Sequence, residues 1–260
     1  MKGIYLTGPN NFSLQELNDP EPGKNDALIK VRMAGICGSD VHLLRGRNPF
    51  AAYPLVPGHE YMGEILQAPK GRGLRKGDRV TVFPEVGCGK CPACKEGRLV
   101  HCPEFKFVGV RMPGGCFCEK LAVPCDRVIK LPKAMKAEEG AMVEPAAVAV
   151  HAVQRGGVKR GDRVVVIGGG TIGLLTAQAA RAFGASKIVV SEPISERRKN
   201  HYYSTLLRAD AMRPLHLHQV NLLAQWRKLS KEGNSAQADS ILFELLRCIN
   251  AIAGAIGYTG

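Results

Sequence analysis

The chain has 260 residues, of which 45% are hydrophobic and 23% are charged. This balance is ordinary for a globular protein with one or two hydrophobic cores, and it excludes a disordered or fibrous chain. Its 36 Lys and Arg residues outnumber 23 Asp and Glu residues, giving a formal net charge of +13. The basic residues are scattered and form neither a long run nor a patch interleaved with aromatic residues, so nucleic-acid binding is not expected.

The N-terminal residues lead directly into a strand-like alternation and show no apolar signal core. No stretch of the sequence approaches the roughly 20 apolar residues that a membrane helix requires. The 9 cysteines are odd in number, and their spacing fits metal binding better than disulfide pairing. We therefore expect a cytoplasmic protein that does not bind membranes.

Short apolar runs alternate with Pro, Gly, Asn and Asp in the first 83 residues, a pattern typical of strands separated by turns. The clearest strand candidates are residues 27–31, 63–66 and 77–82. A small irregular β-barrel or sandwich is therefore the fold predicted for the first half of the chain.

Two residues of this half carry side chains that zinc prefers, Cys37 and His59, and Glu60 follows the second of them. Thiolate, imidazole and carboxylate groups suit Zn²⁺, and a catalytic zinc needs only three protein ligands because water or substrate takes the fourth position. Glu144 offers a further carboxylate from a distant segment. The alternative is that Cys37 is a small buried hydrophobic residue and His59 a hydrogen-bonded core histidine.

A second group of possible metal ligands follows, made up of Cys88, Cys91, Cys94 and Cys102. The two-residue gaps turn the chain back toward one ion, and a fourth thiolate completes a tetrahedral shell with no open position. This spacing predicts a structural zinc site. An iron–sulfur cluster is one alternative, because Pro103 follows the last cysteine, and free thiols are the other.

A glycine-rich loop marks a change in character after residue 156. The β-branched run 164–167 predicts a buried parallel strand, residues 174–183 a helix, and residues 187–192 a second strand. The loop between the first strand and the helix fits the GxGxxG motif, which places a dinucleotide pyrophosphate at a helix N-terminus. The loop residues expected to bind the cofactor are Gly168, Gly170, Thr171, Ile172 and Gly173.

The acidic residue that ends the second strand bears on the choice of cofactor. Glu192 follows the loop by about 20 residues, where a carboxylate accepts hydrogen bonds from ribose hydroxyls and repels a 2′-phosphate. This favours NAD over NADP. Arg197 and Arg198 follow closely and are suited to bind that phosphate, so NADP is the alternative.

These motifs, in this order, resemble the zinc-containing medium-chain alcohol dehydrogenases over residues 1 to about 199, especially the sorbitol and threonine dehydrogenase branch. The resemblance rests on GxCGSDxH at 35–42, GHE at 58–60, the four cysteines, Glu144-Pro145 and the glycine loop. It implies an α/β plus β protein, with a GroES-like irregular β-barrel catalytic domain over 1–155 and a partial Rossmann βαβ unit over 156–199.

The resemblance also implies the ligands of two zinc ions. Cys37 and His59 would bind the catalytic zinc, and Glu60 or Glu144 would complete its shell, directly or through water. The four cysteines would bind the structural zinc. A glutamate at position 144, where classical alcohol dehydrogenases have a cysteine, implies a polyol or amino-alcohol substrate.

For catalysis, the resemblance implies that Ser39 passes the substrate proton toward solvent, with His42 as relay partner and Glu60 as a further catalytic residue. Zinc would polarise the alcohol or carbonyl oxygen while hydride moves to or from the nicotinamide of NAD. The expected partner is a small alcohol or polyol, and association into a homo-oligomer remains open.

Residues 200–260 do not continue the family pattern. Apolar residues recur at helical spacing in two stretches, which predicts an α-helical hairpin with its turn at 231–235. This tail resembles the extreme C-terminus of phosphoenolpyruvate carboxylase through Pro214-Leu215-His216, residues 250–254 and the final Thr259-Gly260. The carboxylase's catalytic barrel has no counterpart and Tyr258 replaces its usual Asn, so neither carboxylation nor effector binding is implied.

Only the first βαβ unit of the expected nucleotide domain is present, so we expect a gene fusion or truncation near residues 198–201. One apolar sheet face would then stay uncovered unless the tail covers it. The leading hypothesis is a zinc- and NAD-dependent dehydrogenase, inactive if its cofactor domain is incomplete. A non-enzymatic, zinc-stabilised binding module is the second hypothesis, and a carboxylase fragment is the third and weakest.

Overall fold

The computed structural model describes residues 1–112, 114–195 and 197. These residues fall into two compact units, Met1–Ala141 and the residues from Met142 onward. The predicted helical hairpin over 200–260, with its carboxylase-like motifs, lies outside the described residues. Within the described ranges, every helix is too short or too polar to cross a membrane.

The first unit is built mainly of short strands, together with three short α-helices. In chain order its elements are β1 (Lys2–Gly8), β2 (Asn11–Glu16), β3 (Asp26–Ala34), α1 (Gly38–Leu44), β4 (Tyr61–Gln67), β5 (Arg79–Val82), β6 (Glu85–Val86), α2 (Pro92–Lys95), β7 (Lys106–Phe107), β8 (Lys120–Pro124), β9 (Val128–Lys130) and α3 (Ala137–Ala141).

A five-stranded antiparallel sheet in the order β8-β3-β4-β5-β9 forms the centre of this unit. The hairpin β1-β2 and the short pair β6-β7 lie outside it. Residues along β3 alternate between buried and half-buried, as expected for a strand with one face on the core. The strands predicted at 27–31, 63–66 and 77–82 lie within or overlap β3, β4 and β5.

The hydrophobic core of the first unit includes the inward-facing residues of β3, β4, β5 and β8 together with α1. Its largest fully buried side chains include Ile29, Leu43, Tyr61, Ile65 and Leu121. Burying side chains of this size stabilises a fold by about 1.5–3 kcal/mol each relative to their exposure. The strand pairing that positions the predicted metal ligands therefore rests on a continuous core.

The second unit contains two helices and a parallel strand pair: α4 (Val143–Arg155), β10 (Arg163–Ile167), α5 (Thr171–Ala182) and β11 (Lys187–Ser191). The strands pair in parallel, with Val165 opposite Val189. Val153 of α4 packs with Ala179 and Ala180 of α5. The strand, glycine loop, helix and second strand predicted from the sequence are therefore all present.

The run 164–167 was predicted to be a buried strand, in a sheet with one apolar face uncovered unless the tail covers it. Val165 is 67% exposed and Ile167 is 90% exposed. Val166, by contrast, is buried beneath the helices. The physical reason is that the described helices α4 and α5 pack on one face of the strand pair only, so alternate residues remain exposed.

The sequence-based domain boundaries at residues 155 and 199 remain predictions. The second compact unit begins earlier than residue 155, at Met142, because Met142, which precedes α4, and Ala149 within α4 pack against Leu175 of α5.

Candidate functional site

Strand pairing brings the first group of predicted zinc ligands together. Ala34 at the end of β3 lies opposite Tyr61 at the start of β4, and the Gly35 N–H donates to the Glu60 carbonyl at 2.7 Å. Residues just after β3 and just before β4 are therefore neighbours in space. Ligand atoms of Cys37, His59 and Glu60 all lie within 4.8 Å of one another. We call these residues the three-donor cluster.

Two glycines permit this close approach. A Cβ on Gly35 would overlap the Glu60 carboxylate, so no larger residue fits between the segments without a shift. Gly58 has φ +95°, a conformation that L side chains rarely adopt. Its carbonyl accepts the Cys116 N–H at 2.9 Å, which fixes the loop before His59. A larger residue would clash at Gly35 and be strained at Gly58, which explains the glycine at both positions.

Burial makes the three-donor cluster unfavourable for negative charge unless a cation is present. His59 is 4% and Glu60 3% exposed. Burial, together with the negative charges of Glu60 and Asp40, raises the pKa of Cys37 to about 12, and hydrogen bonding by Ser39 opposes the shift only in part. A thiolate, an imidazole and a carboxylate in one buried group are a donor set that a divalent zinc ion would stabilise. The cluster therefore fits zinc.

Asp40 is a residue of the site that the sequence-based prediction missed. Its Oδ1 lies 3.7 Å from Nδ1 of His59, and both side chains are 4% exposed. Its Oδ2 accepts the Cys37 N–H at 2.8 Å, as in the capping box of α1. Burial raises the pKa of Asp40, although His59 and the backbone N–H groups of Cys37 and Gly58 act in the opposite direction. In the sequence, the acidic residue three positions after Cys37 was the signal that could have assigned Asp40 to the site.

The proposed proton-transfer residues both lie on α1. Ser39 and His42 are three positions apart, which places them on neighbouring positions of one helix face. Both are half-buried. The helix thus places a hydroxyl beside the three-donor cluster and an imidazole one turn farther along.

The second predicted group is also brought together. The sulfur atoms of Cys88, Cys91, Cys94 and Cys102 lie within 4.8 Å of one another. Cys91 caps α2 and accepts the Cys94 N–H at 3.4 Å, and Cys102 accepts the Cys88 N–H at 3.3 Å. Four convergent sulfurs fit a tetrahedral metal site without an open position.

The thiols of this group differ in acidity. Backbone N–H groups of Lys90 and Cys91 lower the pKa of Cys88 to about 7, whereas burial raises the pKa of Cys94 to about 12. Neighbouring thiols cannot all lose their protons without a cation to offset the repulsion. A bound divalent metal would supply that cation.

The glycine loop of the second unit has the local geometry of a dinucleotide-binding turn. Gly168 has φ +98°, and its N–H donates to the Ser191 carbonyl at 2.8 Å. A Cβ on Gly173 would overlap the Gly168 carbonyl oxygen, whereas one on Gly170 would meet nothing within 4 Å. Thr171 and Ile172 form the first turn of α5. The space at Gly170 is where a pyrophosphate approaches in this motif.

Glu192 is tied to the glycine loop. Its carboxylate accepts N–H groups from Gly169 at 2.8 Å and Ile194 at 3.0 Å, and a guanidinium nitrogen of Arg197 lies 3.6 Å away. Burial tends to raise the pKa of Glu192, but the two N–H groups and Arg197 outweigh it and lower the pKa overall. The side chain is therefore an anion at neutral pH, with a cation beside it.

Glu144 lies in the first turn of α4, in the second unit. Its assignment as a zinc ligand remains a prediction, as do the catalytic and binding roles of the other residues.

Comparison with known proteins identifies similar chains for most of the described sequence. The family model for the alcohol dehydrogenase GroES-like domain matches residues 23–133. An L-galactonate-5-dehydrogenase of Escherichia coli K12 is 40% identical over 77% of this chain. A sorbitol dehydrogenase of Bacillus subtilis is 37% identical over 74%. This chain covers 58% and 56% of those two proteins, a little over half of their length.

A solved structure extends the likeness to the fold. An alcohol dehydrogenase of Escherichia coli CFT073, complexed with NADH, superposes with a TM-score of 0.72 at 33% identity. The superposition covers 90% of this chain and 66% of the other.

Proposed function

The N-terminal part of this chain belongs to the zinc-type medium-chain alcohol dehydrogenase family, and on that premise we propose that it transfers hydride between a nicotinamide cofactor and a secondary alcohol of a polyol or sugar acid. The observation that carries the proposal is the three-donor cluster. Its ligand atoms lie within 4.8 Å of one another, inside the region that the family model matches.

Cys37, His59 and Glu60 would hold the catalytic zinc, with Glu144 as the alternative carboxylate. Because Nδ1 of His59 faces Asp40, Nε2 is the ring nitrogen that we assign to the metal. Zinc, when bound, supplies a Lewis acid that polarises the substrate's alcohol or carbonyl oxygen. The four-cysteine group would hold a structural zinc that takes no part in the chemistry.

Asp40 acts as a positioning residue in this proposal. A histidine that binds a metal usually presents its other ring nitrogen to a carboxylate, which sets the tautomer and the ring orientation. The 3.7 Å separation of Asp40 and His59 is longer than a hydrogen bond, so the carboxylate orients the ring chiefly by charge.

Ser39 would accept the proton that the substrate hydroxyl loses and pass it to His42. The hydroxyl lies beside Cys37, whose pKa it lowers, and the imidazole lies one helical turn away on α1. This arrangement carries a proton out of a buried site without placing a charged base next to Glu60.

The glycine loop would bind the dinucleotide. Its backbone would receive the pyrophosphate between Gly168 and Gly173, and Glu192 would accept hydrogen bonds from the adenosine ribose. The nicotinamide ring then supplies the hydride acceptor or donor. NAD is the proposed cofactor because Glu192 is an anion, and Arg197 beside it is the feature that would admit NADP.

The substrate class follows from the relatives. One acts on L-galactonate and another on sorbitol, and both compounds carry secondary hydroxyls on a polyhydroxylated chain. A glutamate rather than a cysteine at position 144 agrees with this class.

The test uses the whole chain loaded with zinc. We expect NADH to bind, as followed by its fluorescence, and NAD⁺ to be reduced with sorbitol or L-galactonate. Two variants test the two candidate sites separately. Cys37→Ser should lower kcat/KM by about 10³-fold but retain NADH binding. Gly173→Ala should abolish NADH binding but retain both zinc ions.

An unchanged kcat/KM in Cys37→Ser would contradict the proposal. Zinc held without NADH binding or turnover would favour the alternative of a non-enzymatic zinc-stabilised module. The weakest alternative, a carboxylase fragment, predicts bicarbonate-dependent phosphate release, which we expect to be absent.

A further inference from the structure

Phe107, the last residue of β7, makes a direct ring contact with His59. The ring centroids are 5.2 Å apart and the planes meet at 75°, a T-shaped arrangement. Aromatic pairs favour this geometry, because a positive ring edge faces a negative ring surface. The contact lies outside every role assigned above.

We propose that Phe107 is a positioning residue that fixes the tilt of the His59 ring, and that it couples the four-cysteine group to the three-donor cluster. The inference rests on the proposed function, because it requires the three-donor cluster to bind a metal.

The neighbours of His59 explain why such a contact is needed. Its ring is almost fully buried, and the Glu60 carboxylate of the three-donor cluster lies within 4.8 Å of a ring nitrogen. Asp40 faces Nδ1 of the ring at 3.7 Å. A separation of that length does not direct the ring as a hydrogen bond would. Charge attraction sets which nitrogen faces Asp40, but it leaves the rotation of the ring plane weakly defined. The edge contact with Phe107 restricts that rotation.

Phe107 itself is held firmly. It pairs with Glu85 across β6 and β7. Its carbonyl accepts N–H groups from three successive residues at 2.9–3.2 Å, namely Val110, Arg111 and Met112. These hydrogen bonds limit the movement of the Phe107 backbone, so its ring can restrict the orientation of the His59 ring.

The strands that carry Phe107 also bracket the four-cysteine group. β6 ends at Val86, just before Cys88, and β7 begins at Lys106, shortly after Cys102. The Phe105 N–H donates to the Cys102 carbonyl at 3.0 Å. A metal that joins the four sulfurs would therefore hold both strands, and with them the ring against His59.

The experiment uses the full chain with ¹¹³Cd²⁺ in place of zinc. Sulfur ligands deshield cadmium, so an all-sulfur site and a mixed-donor site give separate NMR resonances. The test variant is Phe107→Leu, which keeps an apolar side chain but removes the ring. Phe105→Leu is the matched control, because its ring lies 6.4 Å from Phe107 and is not among the ring contacts of His59. Phe107→Tyr restores an aromatic ring.

We expect Phe107→Leu to move the mixed-donor resonance and to weaken cadmium binding there about 2- to 10-fold, as for the loss of one aromatic pair. The all-sulfur resonance should stay in place, which shows that the four-cysteine group is still folded. Phe107→Tyr should return the mixed-donor resonance toward its original position, and Phe105→Leu should leave it unmoved.

An unmoved mixed-donor resonance in Phe107→Leu would overturn the inference. Simultaneous loss of the all-sulfur resonance would also overturn it, because Phe107 would then serve only the folding of the strand pair. An unaltered chain with an all-sulfur resonance alone would overturn the proposed function together with this inference.

Discussion

The two candidate metal-ligand groups of the first unit are assembled in different ways. The four cysteines lie within residues 88–102 and meet through local turns and the short helix α2. The three-donor cluster joins Cys37 to His59 and Glu60 through the pairing of β3 with β4. One group is all sulfur and mostly half-buried, while the other has mixed donors in the core.

This difference shows why the two groups suit different tasks. A local all-sulfur group holds its own loop together, and its tetrahedral shell leaves no position for a substrate. A group built across a sheet is held in place by the core. With three protein ligands, it would leave the fourth position of a zinc ion open for substrate. Changes to the first should therefore affect stability, and changes to the second should affect chemistry.

The largest effect is expected for Cys37→Ser. Replacing a thiolate ligand of the three-donor cluster should lower kcat/KM by about 10³-fold, because several kcal/mol of transition-state stabilisation are lost. Steady-state kinetics and zinc content measure the result, and one zinc ion should remain. Cys125→Ala is the control, a buried cysteine outside both groups. A large fall in melting temperature in Cys37→Ser would contradict the expectation that changes to the three-donor cluster affect chemistry rather than stability.

Cys102→Ser should act on stability instead. Losing one ligand of the four-cysteine group should release its metal and lower the melting temperature by about 10 °C. Calorimetry of the zinc-loaded chain would measure this. The neighbouring exposed residue His101 provides the control, since His101→Ala leaves all four sulfurs in place. Retention of both zinc ions in Cys102→Ser would show that the group is not a metal site.

Asp40→Asn tests whether Asp40 positions His59 for metal binding at the three-donor cluster. The amide keeps the shape of the side chain but removes the negative charge facing His59, so zinc affinity at that cluster should fall about 10- to 100-fold. Competition with a chelator measures the zinc affinity of each of the two groups. Glu64→Gln makes the same chemical change on β4, where the carboxylate pairs with Arg32, and should leave both affinities as they were. Equal losses at the two groups would contradict a specific role for Asp40.

The smallest effect concerns a close backbone contact. Gly35→Ala should destabilise the chain by about 1–2 kcal/mol, because the new Cβ overlaps the Glu60 carboxylate and the segments must shift. Gly38→Ala is matched in chemistry but meets nothing within 4 Å. It should be neutral, or stabilising by up to about 1 kcal/mol, since it lies in helix α1. Urea unfolding of both variants measures the difference, and equal midpoints would contradict it.

Local spacing was sufficient to predict much of the molecule. The CxxCxxC run, the glycine loop and the alternating strands each act over a few residues, where covalent geometry and side-chain periodicity decide the structure. The second unit illustrates the limit, because the β-branched run 164–167 predicted a buried strand, whereas Val165 and Ile167 are exposed. Whether Val165 and Ile167 are covered depends on which helices pack on the sheet, and no local pattern contains that information.

The sequence by itself therefore determined the ligand types, the four-cysteine group and the order of elements around the glycine loop. Only the tertiary structure decided that Glu60 joins Cys37 and His59, that Asp40 faces the imidazole, and that Phe107 contacts its ring. The physical reason is the distance along the chain between the residues that interact. A turn is specified by the residues that form it, whereas contacts between β3, β4 and β7 depend on how separate segments share one core.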